Sequence, residues 1–183
     1  LGFFSMAYGI DPPEKMWEET YTQDGANVFT DLCMTADGNL AVAAANLFLM
    51  DTSGTIIWSA EDTSLYSHGI KDVDYLVGQN TLIGAGRCKV DSGDLWGLYI
   101  QKITDYGEVV WTKVYDYPDT REEGYSVTKL PDGGYAVCGR VYGEGLYLGQ
   151  AWILRTDANG DTLWTDVWGT HTINFAVGVE YDE

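Results

Sequence analysis

Residues Gly124–Trp164 read GYSVTKLPDGGYAVCGRVYGEGLYLGQAWILRTDANGDTLW. Four runs with strand character fall in this stretch, at about 124–130, 134–141, 150–157 and 160–168, with turn signals between them. Alternation along the second run sends Tyr135, Val137 and Gly139 to one side and Ala136, Cys138 and Arg140 to the other. Asp132-Gly133 and Asn159-Gly160 supply residue types that tolerate the positive φ of a tight turn. The stretch therefore reads as a four-stranded antiparallel meander.

The same design recurs upstream. Asp51-Thr-Ser-Gly54-Thr-Ile-Ile-Trp58, Thr104-Asp-Tyr-Gly107-Glu-Val-Val-Trp111 and Asp157-Ala-Asn-Gly160-Asp-Thr-Leu-Trp164 each place Gly four residues before Trp. Trp58, Trp111 and Trp164 are 53 residues apart, and Trp17 lies 41 before Trp58. Thr35-Ala-Asp37-Gly38-Asn-Leu40-Ala-Val42 aligns with Leu130-Pro-Asp132-Gly133-Gly-Tyr135-Ala-Val137, and Gly86-Arg87 with Gly139-Arg140. A period of 40–50 residues holding four strands is the sequence signature of a β-propeller blade. Blades are expected at about 27–62, 69–116 and 124–168. Small residues on the second strand (Ala43, Ala44, Gly84, Ala85, Gly86, Cys138, Gly139) would let sheets approach closely. An aromatic four residues after the key Trp, Tyr115 after Trp111 and Trp168 after Trp164, puts both rings on one face, where they would anchor one blade to the next.

Outside the blades, residues 14–22 match a fourth, outer strand, and Thr172–Glu180 looks like the first, inner strand of a further blade. The expected fold is thus all-β: a partial β-propeller of three four-stranded antiparallel blades, with an outer strand before and an inner strand after. Propellers need about four to eight blades to close, so the segment reads as part of a longer chain that supplies the remaining blades. Residues 1–9 resemble a signal-peptide remnant, with small residues at Ala7 and Gly9, and point to secretion.

The chain has 183 residues, 10 Lys+Arg against 28 Asp+Glu, and a net charge of −18. A surface this acidic repels nucleic-acid phosphates and anionic lipid. No apolar run approaches the roughly 20 residues that span a bilayer. The three cysteines, Cys33, Cys88 and Cys138, form no CxxC pair and read as buried small hydrophobes.

The Asp-x-x-Gly-x-x-x-Trp element resembles the tryptophan-docking motif of quinoprotein-like propellers. The Pro131–Arg140 and Asp157–Trp164 strings look still more like the propeller repeats of secreted bacterial proteins that often end in a sorting domain. The resemblance covers residues 14–183 and implies secretion or surface display, with no chemistry in the repeats. The first blade departs from it, carrying Ala44-Ala45 where the others have Gly-Arg.

No catalytic constellation is legible, and no cofactor or metal site is expected. Asp157-Ala-Asn159-Gly160-Asp161 has Gly at the fourth place of a calcium loop instead of the sixth, so it reads as a hairpin turn. His68 and His171 lack partners at zinc-ligand spacing and read as loop histidines. Two insertions, loops 88–96 and 141–150, lie between second and third strands and fall on one rim. They carry aromatics (Trp96, Tyr142, Tyr147) and acids (Asp91, Asp94, Glu144) suited to a ligand such as a sugar, whose faces stack on rings and whose hydroxyls bond carboxylates. The functional expectation is a non-catalytic interaction or scaffold module of a secreted or cell-surface bacterial protein. Its protein or glycan partner is unspecified, and the alternative is a carbohydrate-binding propeller using the rim loops.

Overall fold

The computed structural model describes residues 29–116, 119–143, 149–169 and 174–181. The segment 14–22, expected as an outer strand, and the leader-like residues 1–9 lie outside the described residues. So do Glu144, Tyr147 and His171.

Twelve strands form three four-stranded antiparallel sheets, each a simple meander. The first sheet contains β1 (Asp31–Met34), β2 (Leu40–Ala43), β3 (Leu47–Met50) and β4 (Ile56–Ala60). The second contains β5 (Ser67–Leu76), β6 (Thr81–Lys89), β7 (Gly97–Thr104) and β8 (Val109–Tyr115). The third contains β9 (Thr120–Lys129), β10 (Tyr135–Gly143), β11 (Gln150–Thr156) and β12 (Thr162–Trp168). The described sheets do not close into a ring, and no helix among the described residues is long and apolar enough to cross a membrane. This is the repeat read from the sequence, with two shifts. First strands start earlier than expected, at Ser67 and Thr120, so His68 lies in β5 and not in a loop. Residues 174–181 form no β-ladder, although a strand was expected over 172–180.

Consecutive sheets share cores. Ala41, Ala43, Leu47 and Leu49 of the first pack with Ile70, Val73, Leu82, Tyr99 and Ile103 of the second. The opposite face of the second sheet, through Ile83, Ala85, Leu98 and Ile100, packs with Val127, Tyr135, Val137, Trp152 and Leu154 of the third. The middle sheet is covered on both faces, so β6 and β7 are buried almost throughout. All seven residues of β12 are exposed.

The Gly–Trp motif links one sheet to the next. Gly107 and Gly160 adopt φ of 90° and 81°, a left-handed conformation that a Cβ disfavours. A Cβ at Gly107 would lie 3.0 Å from the Trp58 ring, and one at Gly160 would lie 3.1 Å from the Trp111 ring. Each tryptophan therefore lies on the glycine turn of the following sheet. Trp58 Nε1 donates to the Asp105 carbonyl at 2.9 Å. Tyr115, four residues after Trp111, donates its hydroxyl to the Gly160 carbonyl at 2.5 Å, and Lys113 pairs with Asp161 at 2.7 Å. Trp164, the third member of the series, is 50 % exposed.

A second linkage runs along the first strands. The Asp31 carboxylate accepts from the Val73 amide at 3.0 Å, Asp72 from Val127 at 2.6 Å, and Ser126 Oγ from Val179 at 3.3 Å. In each case a polar side chain on one first strand fixes an amide 42, 55 or 53 residues later. The segment 174–181 completes the pattern: Asn174 and Ala176 donate their amides to Gly149 and Gly139 carbonyls. Glu122 uses the same device one sheet earlier, donating to the Trp96 carbonyl at 2.7 Å. The C-terminal segment thus docks on the third sheet in first-strand register, without a ladder of its own.

Candidate functional site

Glu123, on β9, is the centre of the densest polar cluster. Its neighbour along the ladder is Arg140 on β10, and the corresponding pair in the second sheet is Gly69 with Arg87. Glu123 is thus a charged residue where the preceding repeat has none, and its side chain is only 7 % exposed. Lys71, at a bulge in β5, donates to Oε2 at 2.7 Å, and Arg87 of β6 donates to Oε1. The Tyr125 hydroxyl reaches Oε2 at 3.0 Å and the Tyr142 hydroxyl reaches Oε1 at 3.4 Å. Burial by itself raises the Glu123 carboxyl; the hydrogen bonds and charges of Lys71 and Arg87 outweigh it and hold it down at about 2. The Tyr125 hydroxyl is pushed up, first by burial and then by the Glu123 charge.

Aromatic rings hold the surrounding cations. The Arg87 guanidinium lies 4.3 Å from the centre of the Trp96 ring, and Lys89 lies 5.2 Å from it. Arg140 and Arg121 lie 4.7 and 5.8 Å from the Tyr142 ring, and Lys71 lies 4.1 Å from Tyr125. Phe175 meets Tyr125 edge-on at 6.3 Å, so the docked C-terminal segment borders the same cluster.

The rim residues singled out in the sequence divide. Trp96 and Tyr142, from separate insertions, reach one cluster through Arg87, Glu123 and Arg140. Asp94 instead closes its own turn, its carboxylate accepting from the Asp91 amide at 2.7 Å; Asp91 is exposed beside it. Tyr147 and Glu144 lie outside the described residues. Glu123 and Lys71 were not legible as site residues, because their pairing spans 52 residues and depends on how two sheets stack. The available signal was a charged residue, Glu123, aligned with Gly69 in the repeat.

The Asp157 turn uses its carboxylate internally, accepting from the amides of Asn159 and Asp161 at 2.8 and 2.9 Å. The Asp51 carboxylate does the same for Ser53 and Thr55. Among the described residues no three His, Cys, Asp or Glu side chains are grouped to hold a metal ion.

Two clefts lie at the junction of the first and second sheets. One of about 650 Å³ is lined by Asn46, Glu61, Asp62, Tyr66 and His68. His68 is held below its ordinary range by burial, against the pull of Asp62 and Glu61, and its ring leans on Tyr99 at 5.7 Å. The other, about 340 Å³, is the space beside the Trp58 dock.

Compared with known proteins, the chain matches no family model and no curated protein.

Proposed function

We propose that this chain is a non-catalytic interaction module of β-propeller type, belonging to a secreted or cell-surface protein. The observation that carries the reading is the recurrence of one docking device at successive interfaces, ending on an open face. Trp58 and Trp111 each lie on the next glycine turn, whereas Trp164 is exposed along with Trp168 on the same face of β12. An apolar face of this kind marks an interaction surface. The partner that fits it is a further repeat presenting a glycine turn, because that is what covers the equivalent face of the first two sheets. Light scattering during gel filtration tests this. The chain should associate with rising concentration, and Trp164→Arg should abolish the association; a monomer at every concentration would count against it.

A second reading, glycan binding at the rim, is favoured by the convergence of Trp96 and Tyr142 from separate insertions on one cluster. Glycan-array binding lost with Trp96→Ala would support it, and binding unaffected by that change would oppose it.

A further inference from the structure

We infer that the open face of β12 selects its partner by charge: the repeat that docks there carries lysine or arginine immediately after its turn glycine. The inference rests on the interaction-module reading and names the chemistry of its partner.

Strand register makes the fourth strands of the second and third sheets directly comparable. Trp111, Lys113 and Tyr115 pair with Lys102, Ile100 and Leu98; Trp164, Asp166 and Trp168 pair with Arg155, Ile153 and Ala151. A spacing of two keeps each trio on one face of its strand. Where the second sheet meets the third, every member of the first trio has its partner on one turn. Trp111 lies on Gly160, the Tyr115 hydroxyl donates to the Gly160 carbonyl, and Lys113 pairs at 2.7 Å with Asp161, the residue that follows the glycine. On β12 the aromatic part of this device recurs. Trp164 takes the place of Trp111, and Trp168 takes that of Tyr115, with an indole N–H as donor instead of a hydroxyl. The charge is reversed, because Asp166 takes the place of Lys113.

Asp166 is exposed between two exposed rings, and its Oδ1 accepts from the Val167 amide at 2.9 Å. The cations of the neighbouring strands are committed elsewhere, Arg155 to Asp132 and Arg140 to the Tyr142 ring. A glycine turn docked on this face brings the residue after its glycine to Asp166, as Asp161 comes to Lys113. A base at that place repeats the ion pair with its sign reversed, whereas an acid meets like charge. In this chain the turn glycines Gly54, Gly107 and Gly160 are followed by Thr55, Glu108 and Asp161. A second copy therefore offers no basic turn of this kind, and self-association is the weaker form of the contact. Lys113 and Asp161 are 37 and 65 % exposed, so a pair of this kind contributes selectivity while the tryptophans contribute most of the binding.

The test extends the full chain at its C-terminus with a second copy of residues 130–168, for which the docked residues 174–181 serve as first strand. Four proteins are compared: the copy carries Asp161 or Asp161→Lys, and the parent part carries Asp166 or Asp166→Lys. Hydroxyl-radical footprinting of the parent Trp164 and Trp168 reads docking, and thermal denaturation reads its strength. Both tryptophans should lose reactivity on extension with the Asp161→Lys copy. With Asp166 in place, that copy should melt about 2–4 °C above the unchanged one at about 20 mM NaCl. The order should reverse with Asp166→Lys, and both differences should shrink at about 1 M NaCl. Protected tryptophans with midpoints indifferent to the charge of the copy would overturn this inference and leave the interaction-module reading standing. Tryptophans as reactive in all four proteins as in the unextended chain would overturn both.

Discussion

Replacing Trp111 with alanine should uncouple the second sheet from the third. Trp111 lies against the Gly160 turn and meets Tyr135 edge-on at 5.8 Å, and it packs on the core shared by these sheets. A half-buried tryptophan truncated to alanine forfeits about 2 kcal/mol of apolar burial, and the lost edge-to-face contact adds about 1 kcal/mol. The expected loss of about 3 kcal/mol is a large share of the 5–15 kcal/mol that holds a typical domain. In a row of sheets that contact only their neighbours, such a loss falls on one interface and breaks cooperativity there. The cysteines provide the assay, since each sheet carries one: Cys33 on β1, Cys88 on β6 and Cys138 on β10. Pulsed thiol labelling across a urea series, read by mass spectrometry, should show the buried Cys88 and Cys138 labelling together in the parent chain. In Trp111→Ala, Cys138 should label at lower urea than Cys88. A loss below about 0.5 kcal/mol with Cys88 and Cys138 still labelling together would refute the reasoning.

Other outcomes follow from the same contacts. Gly107→Val should destabilise more than Gly133→Val, measured by thermal denaturation: both positions have positive φ, but only Gly107 faces a tryptophan ring at 3.0 Å. Asp72→Asn should stabilise the chain at neutral pH by on the order of 1 kcal/mol after allowance for solvent screening, because it keeps an acceptor for the Val127 amide and removes a carboxyl that burial and Asp31 push up to about 6. The pH profile of stability has opposite signs at the two carboxyls. Asp72, raised from 3.8 to about 6, contributes stability that is lost as pH rises from 3.8 to about 6; Glu123, lowered from 4.5 to about 2, contributes stability that is lost as pH falls from 4.5 towards 2. Chemical denaturation should therefore place the maximum from these two groups at about 3.8 to 4.5, with stability declining from there to about 6, and Glu123→Gln should flatten the acid side. In the native chain the half-buried Cys33 should react with a thiol reagent before Cys88 and Cys138, which are buried; burial pushes up all three thiols, so access decides the order.

The repeat was legible because it is written locally. Gly54, Gly107 and Gly160 mark turns whose backbone only glycine accepts readily, and the tryptophan four residues later reads out strand alternation from that turn. What the first strands do was less legible. Arg121, Glu122 and Glu123 do not look like strand residues, yet they sit in β9, because Glu123 is neutralised by Lys71 and Arg87 from the preceding sheet. The same non-local cause hid the centre of the candidate site. Trp96 and Tyr142 were visible as aromatics in insertions, but the guanidinium stacks that occupy their faces depend on strands far apart in sequence. Residues 174–181 show the reverse case: their pattern reads as a strand, and the chain docks them through separate bonds to Gly149, Gly139 and Ser126 without a ladder.

The central claim is that successive sheets are held by one repeated device, a polar side chain on one first strand bonded to an amide of the next. Amide hydrogen exchange by NMR at Val73, Val127 and Val179 tests it most directly, since their acceptors Asp31, Asp72 and Ser126 belong to the preceding sheet. Slow exchange at all three, with Val127 accelerated in Asp72→Ala while its in-sheet neighbours stay protected, is the predicted result. Exchange at unprotected-chain rates at these amides, beside protected ladders within each sheet, would show that the sheets fold without being joined this way.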